Sequence, residues 1–466
     1  MLYIAIVLLD STDTRPVHFV GIAGAGMSAL AELFARRGVP VTGCDAVVQH
    51  VDDLVALGIK ISEGHDPAHV VGARALVVTS AVPKDHPELA AARAAGIPVV
   101  RRAEALGEVT SGSGIELVGV AGTHGKSTTT IMAAEALAAA GRDPTALVGA
   151  RVARWNGNLR VGSDTLFVTE ADEYDRSFLA LAPTVAVVTN VEADHLDIYA
   201  DLADIRSAFV EYLRGARAVV LCDDDPGAAS LAMPGTAEVI RYGIESADAR
   251  LRALNVRFEN GGSAFSVEYD GKLLGGVSLR ISGRHNVLNA LGAVGAGLAL
   301  GAPFEGLAYG LRDVSGAQRR FETLGDARGV TVVDDYAHHP TEIHATIAAA
   351  RACFPGRRLV IAFQPHLYSR TRDFASEFAG ALAAADAVYL TEIYAARERP
   401  IAGVTADLIA NDFGDRSRLA WRGDRAALAD ALVAGAQSGD VIITMGAGDI
   451  TRTGPELLAR LRRAAA

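Results

Sequence analysis

Residues Gly122-Thr123-His124-Gly125-Lys126-Ser127-Thr128 constrain this chain more than any others. They follow a short apolar run over 116–120 and precede an Ala/Leu-rich helical stretch to about Ala140, stopped by Gly141. A strand, a glycine loop and a helix in that order are the setting of a phosphate-binding loop. The glycines let backbone N–H groups approach a phosphate, and the helix N-terminus adds positive potential. Lys126 can reach β- and γ-phosphates, and the Ser127 hydroxyl can ligate Mg2+. The common form of the loop has a glycine five residues before Gly125, where this chain has Val120. The loop is therefore not the common Walker A.

The same alternation of β-branched run, glycine loop and helical stretch recurs along the chain, which predicts an α/β fold with mostly parallel sheets. A chain of 466 residues exceeds one hydrophobic core, so two to four domains are expected. Three segments stand out. The first has strands over 17–20, 39–43 and 75–79 and fades near Gly107. The second adds strands over 165–169 and 185–189, a helix over 285–300, and an alternating stretch over 253–279 that turns on Asn260-Gly261-Gly262, as antiparallel hairpins do. The third begins near Ser315, with strands over 330–334, 359–363, 387–390 and 441–444.

Composition narrows the function. A net charge of −11 argues against a general nucleic-acid binder. An acidic protein that binds phosphates must hold them with loop amides, a few cations and metal. Cys44, Cys222 and Cys353 are odd in number, far apart and free of any CxxC pair, which argues against a disulfide framework or zinc site and for a reducing compartment. No apolar run approaches the ~18 residues that span a bilayer. The apolar start, residues 1–9, has no preceding basic residue and reads as a strand or extension rather than a signal peptide, so a cytoplasmic protein with no membrane partner is expected.

Four more motifs follow apolar strands. Glu170-Ala171-Asp172-Glu173-Tyr174-Asp175 places carboxylates at a strand end, where a cation relieves their repulsion. Thr189-Asn190-Val191-Glu192-Ala193-Asp194-His195 offers a histidine that, from a neighbouring parallel strand, would approach Glu170 and complete a second metal site. Gly21-Ile22-Ala23-Gly24-Ala25-Gly26-Met27-Ser28-Ala29 contains a GxGxxA, with Asp45 about 20 residues on, as in a dinucleotide fold. Taken alone it suggests NAD, but the diphosphate of UDP suits a helix N-terminus equally. In the third segment, Asp334-Asp335-Tyr336-Ala337-His338-His339-Pro340 and Phe363-Gln364-Pro365-His366-Leu367-Tyr368-Ser369-Arg370-Thr371-Arg372 each leave a strand, and the arginines suit carboxylates or phosphoryl oxygens.

Together GTHGKSTTT, EADEYDRSFL, TNVEADHLD, GRHNVLNA, RRFE, DDYAHHPTEI and FQPHLYSRTRD stand in the order seen in Mur ligases, and the resemblance runs from about Pro16 to the end. With HFVGIAGAGMSALA, the chain resembles the members that join L-alanine to UDP-N-acetylmuramate. The resemblance implies three domains: Rossmann-like and UDP-substrate-binding over 1–107, central and P-loop ATPase-like over 108–314, and Rossmann-like and amino-acid-binding over 315–466. It implies that Gly24, Ala25, Gly26, Met27, Ser28, Asp45 and Ser80 hold the UDP substrate. ATP would meet Gly122 to Thr128, Asn286, Asn289, Arg320 and Asp334, with Lys126, Glu170 and His195 catalytic. Ser127, Glu170 and His195 would ligate Mg2+, two ions in all, with Mn2+ as an alternative. Tyr336, His338, Arg370 and Arg372 resemble the amino-acid pocket. A monomer or weak homodimer is expected. The implied chemistry is acyl activation by ATP followed by amide formation.

Two positions depart from the family pattern. Tyr174 stands where many members have serine, as in a relative that attaches a preformed murein tripeptide to the same nucleotide sugar, and Leu367 stands where many have arginine. The following Asp175-Arg176-Ser177-Phe178-Leu179 and the Ala193-Asp194-His195 version return to the alanine-adding pattern. A folylpolyglutamate-type ligase would lack the first segment, and a regulatory nucleotide switch would show no turnover.

Overall fold

The computed structural model describes residues 8–49, 51–79, 81–259, 261–314, 317–396 and 398–463. Ser80, Asn260, Ser315 and the start of the apolar stretch, residues 1–7, lie outside the described residues. The chain divides into two compact units. One comprises Met1–Val256, Phe265–Leu279 and Leu288–Ser315; the other comprises Arg257–Ala264, Arg280–Val287 and Gly316–Ala466.

The described residues form three sheets. The first contains β1 (Val17–Val20), β2 (Val41–Asp45), β3 (Lys60–Glu63), β4 (Ala75–Val78) and β5 (Val99–Arg101) in the order β3-β2-β1-β4-β5, all parallel. Order reverses beside β1, so the loops leaving β1 and β4 diverge and open a crevice at the strands' carboxyl ends.

The second sheet contains β6 (Glu116–Ala121), β7 (Pro144–Val152), β8 (Gly157–Arg160), β9 (Ser163–Glu170), β10 (Val185–Val188), β11 (Ala218–Cys222), β12 (Glu238–Gly243), β13 (Leu251–Glu259), β14 (Gly262–Tyr269) and β15 (Lys272–Leu279). Its order is β15-β14-β13-β12-β11-β10-β6-β9-β7-β8. β6 lies between β10 and β9, parallel to both, with Val120 level with Val187 and Glu170. The last three strands are neighbours joined by two-residue connections, which only antiparallel pairing allows, so the hairpin reading holds.

The third sheet contains β16 (Glu322–Ala327), β17 (Val330–Asp335), β18 (Leu359–Phe363), β19 (Ala387–Thr391), β20 (Leu419–Gly423) and β21 (Val441–Met445) in the order β16-β17-β21-β18-β19-β20. Only the β16–β17 pair is antiparallel. Its central strands are apolar on both faces: Val333, Ile361 and Ile443 enter one core, while Val332, Val360 and Ile442 enter the other. Alternate residues of each strand thus bury against helices on opposite sides. No helix among the described residues is long and apolar enough to cross a membrane.

Candidate active site

The phosphate-type loop leaves β6 at the middle of the second sheet. The strand runs on through Val120 to Ala121, so the position that usually carries the first loop glycine is still in the ladder. Gly122 takes φ +140, and a Cβ there would stand 2.0 Å from the Thr189 hydroxyl. Gly125, at φ +83, caps the helix Lys126–Ala139. The motif after β10 shapes this loop from outside. Asn190 accepts from the backbone N–H of His124 through Oδ1 (2.7 Å) and from that of Thr123 through its carbonyl (3.1 Å). The Thr189 hydroxyl donates to the His124 carbonyl at 2.6 Å. Asn289 packs over Gly125 and accepts from the Thr129 hydroxyl at 3.2 Å. Asn289 thus supports the loop itself. Asn286, predicted beside it, donates to the Ser282 carbonyl at 2.7 Å.

Lys126 is folded onto its own loop, donating to the carbonyls of Gly122 (2.6 Å) and Thr123 (3.2 Å). It also forms a 2.8 Å ion pair with Glu173. Glu173 belongs to the acidic motif after β9 but was not singled out within it as a site residue. It is buried, and burial together with Asp172 pushes its carboxyl up to about 7 against the pull of Lys126. Glu173, Asp172 and Glu170 all act on the lysine and hold its ammonium above its ordinary range despite burial. Glu170 accepts from the Gly149 N–H at 2.8 Å.

His195 sits at φ +54, with Nε2 3.7 Å from Glu173 and 3.7 Å from Asp194. Tyr174 packs edge-on against its ring, with centroids 5.1 Å apart. The expectation placed His195 on a strand neighbouring that of Glu170. In the fold β9 and β10 flank β6 instead, and the carboxylate that reaches His195 is Glu173. These residues fit Mg2+: Ser127 is buried at the start of the helix, and three carboxylates converge where one ammonium stands. The surplus negative charge and the oxygen donors are those a hard divalent cation takes.

In the first sheet, Gly24 caps the helix Ala25–Arg36, and the Ala23 N–H donates to Asp45 at 3.0 Å. Asp45 therefore clamps the glycine loop. Met27 and Ser28 donate their N–H groups back to the Gly24 carbonyl. A Cβ on Gly26 would stand 3.1 Å from the guanidinium of Arg102, a cation at this helix start that the sequence reading also missed. No motif announces Arg102, because it arrives from the far side of β5.

In the third sheet, Asp334 accepts from the Thr451 hydroxyl (2.8 Å) and from Arg319 (3.3 Å). Arg320 lies instead over the Tyr336 ring, 5.0 Å from its centroid, and 3.8 Å from Glu342. His338 pairs with Glu342 at 3.1 Å and meets the rings of Tyr336 and His366. Arg370 is buried, with a guanidinium nitrogen 3.4 Å from His366. These residues assemble a cationic and aromatic group. Arg372 does not join it by any ion pair to that group; it pairs with the adjacent Asp373 at 2.7 Å, largely exposed. His366 and its stacking partner Tyr394 were not singled out.

A strand–loop–helix phosphate-type cradle with a half-buried lysine paired to a carboxylate, and a second glycine loop in a separate parallel sheet, fit a nucleotide-binding enzyme. The comparisons name the family. Residues 16–113 match the Mur ligase family catalytic domain, 120–297 the Mur ligase middle domain, and 319–448 the Mur ligase glutamate ligase domain. The chain is 47% identical to the UDP-N-acetylmuramate–L-alanine ligase of Acidothermus cellulolyticus over 455 residues, 96% of this chain and 95% of that one. It is 43% identical to the enzyme of that name from Burkholderia multivorans, over 94% of this chain and 96% of that one. The crystal structure of UDP-N-acetylmuramate–alanine ligase from Thermotoga maritima superposes with a TM-score of 0.81 at 28% identity, covering 96% of this chain and 99% of that chain. The chain belongs to the Mur ligase family.

Proposed function

We propose that the protein uses ATP to join L-alanine to the lactyl carboxylate of UDP-N-acetylmuramate, in the cytoplasm, as a step of peptidoglycan precursor synthesis. The observation that carries this is the half-buried Lys126 paired with Glu173 in the phosphate-type loop, in a chain nearly half identical to enzymes of that name over almost its whole length. A carboxylate oxygen of the sugar's lactyl group attacks the γ-phosphorus of ATP; the bond to the β-phosphate oxygen breaks, leaving an acyl phosphate and ADP. The alanine amine then attacks the acyl carbon, phosphate leaves, and the amine sheds a proton. Two anions meet in the first step, so positive charge at the phosphates is the main demand.

Lys126 would supply that charge by leaving the Gly122 and Thr123 carbonyls for the phosphates, while Glu173 keeps its ammonium in place. Ser127, Glu170 and His195 would hold Mg2+, in two ions, with Mn2+ a substitute; when bound, the metal neutralises phosphate charge. The Gly24–Ser28 loop with Asp45 and Arg102 would take the UDP diphosphate. The cluster of Tyr336, His338 and Arg370 would receive the amino acid. On this reading residues 1–107 bind the nucleotide sugar, 108–314 bind ATP and 315–466 bind alanine, in a monomer or weak homodimer.

Tyr174, where many family members have serine, is the ground for a second and less supported reading, attachment of a preformed murein tripeptide to the same sugar. Phosphate release from ATP, measured with UDP-N-acetylmuramate and each acceptor in turn, separates the two. Release that requires L-alanine, with a product of the expected amide mass, supports the first. Release only with tripeptide supports the second, and release with neither overturns both.

A further inference from the structure

The first sheet carries a cluster that the proposed ligase chemistry does not use. His18 and Thr42 are level partners on β1 and β2, and Cys44 lies two residues beyond Thr42, so His18 and Cys44 face the same side. On that side the turn of 3-10 helix Pro67–Val70 brings His69, and the helix Pro87–Ala94 brings Glu88. One ligand atom from each of His18, Cys44, His69 and Glu88 lies within 4.8 Å of all the others.

The Cys44 sulfur is 3.1 and 3.2 Å from the two Glu88 oxygens, and His69 Nδ1 is 2.8 Å from Glu88. Glu88 also accepts from the Asp66 N–H at 3.0 Å, and His65 Nδ1 stands 3.3 Å from the sulfur at the rim. Glu88 and Cys44 are 0% exposed and His18 is 2% exposed. The His18 Nδ1 is taken by the Thr42 hydroxyl at 2.9 Å, while its Nε2 is buried with no hydrogen-bond partner.

We propose that His18, Cys44, His69 and Glu88 form a binding site for a zinc-class divalent cation. Donors at the usual ~2.0–2.3 Å from zinc in a tetrahedron stand about 3.3–3.7 Å apart; here Glu88 stands 2.8–3.2 Å from Cys44 and His69, and every pair lies within 4.8 Å. One thiolate and one carboxylate neutralise the two charges of the ion, so the buried site is balanced. The Thr42 contact fixes the His18 ring with its remaining nitrogen free, as the outer partner of a metal-bound histidine does. On binding, the Cys44 S–H bond breaks, its proton passes to solvent, and the sulfur–metal bond forms. Cysteine spacing did not foretell such a site, because the four residues come one each from four elements. The ion would clamp the 3-10 turn and the helix onto β1 and β2, one residue before Asp45 and its glycine loop.

The test uses the full chain, stripped with a chelator and titrated with Co2+ and then Zn2+. The expected result is one Co2+ per chain with a thiolate-to-metal charge-transfer band, displaced by Zn2+, and a rise in thermal midpoint with Zn2+. Cys44→Ser should abolish the band, and His69→Asn, at a half-exposed position, should weaken Zn2+ binding by about 100-fold or more. Cys222→Ser, a buried cysteine elsewhere, should keep both signals. Absence of the band in the wild-type chain, or its survival in Cys44→Ser, would overturn the proposal. If Cys44→Ser misfolds by circular dichroism, His69→Asn decides: unchanged affinity also overturns it.

Discussion

Lys126 lies in the loop with a carboxylate partner already in place, and on the proposed reading this puts two residues, not one, at the phosphate. Lys126→Ala should cut ATP-dependent phosphate release by about 100-fold or more, since charge placement is the main catalytic demand. Glu173→Gln keeps the shape but removes the charge that holds the ammonium, and should lower kcat by about 10-fold or more with a smaller change in KM for ATP. Steady-state kinetics on folded variants checks both; full activity in either would remove that residue from the mechanism. A different buried carboxyl sets a pH effect on stability. Asp335 accepts from the Phe321 and Ala337 N–H groups, yet burial pushes it up to about 6 from an ordinary 3.8. Between these values the folded chain holds a proton that the unfolded chain has lost, so stability falls as pH rises from about 4 to about 6. Urea midpoints across that range should show this slope in the wild type and a flatter one in Asp335→Asn.

At the scale of elements, the loop after β6 is a joint product of three strands. Gly122 is needed less for a phosphate than for Thr189, which occupies the space of a side chain at that position. Gly122→Ala, at φ +140 as well, should cost about 1–3 kcal/mol by urea denaturation and weaken nucleotide binding by 10-fold or more. Binding as tight as wild type would show that the loop adapts. The same joint construction explains what could be read in advance. The strands over 17–20 and 359–363 and the glycine loops were legible, because β-branched runs and glycines report local backbone. The glycine loop with Lys126 and an acidic motif on the strand beside it were legible as local patterns. That Glu173 is the member of this motif that meets Lys126 was not legible, since it depends on how the chain turns after the strand, with Asp175 and Arg176 both at φ +54. Edge strands such as β8 and β20, short and partly polar, carry too weak a period to stand out. Arg102, His366 and the set around Cys44 depend on which strands neighbour which, and no local pattern encodes that.

At the scale of the molecule, the first sheet and most of the second belong to one compact unit, and a few contacts tie the Gly24–Ser28 segment to the second sheet. Asn158, buried on β8, donates to the carbonyl of Ala25, the first residue of the helix after that glycine loop. Arg151 reaches Asp53 at 3.3 Å, and Arg101, the last residue of β5, reaches Asp175 at 3.2 Å in the turn after Glu173. The Arg101–Asp175 pair, the more exposed of the two, contributes little by itself. Asn158 is different, because it is buried and its partner is the first residue of the helix after the other sheet's glycine loop. Asn158→Ala should therefore cost about 1 kcal/mol of stability. Its kinetic signature should be one-sided: KM for UDP-N-acetylmuramate raised by about 10-fold as the start of the helix loses its anchor, with KM for ATP nearly unchanged, because the Gly122–Ser127 loop keeps Thr189 and Asn190. An equal rise in both constants would mean that the two loops move as one body, and no rise in either would mean that Asp45 alone positions the first loop.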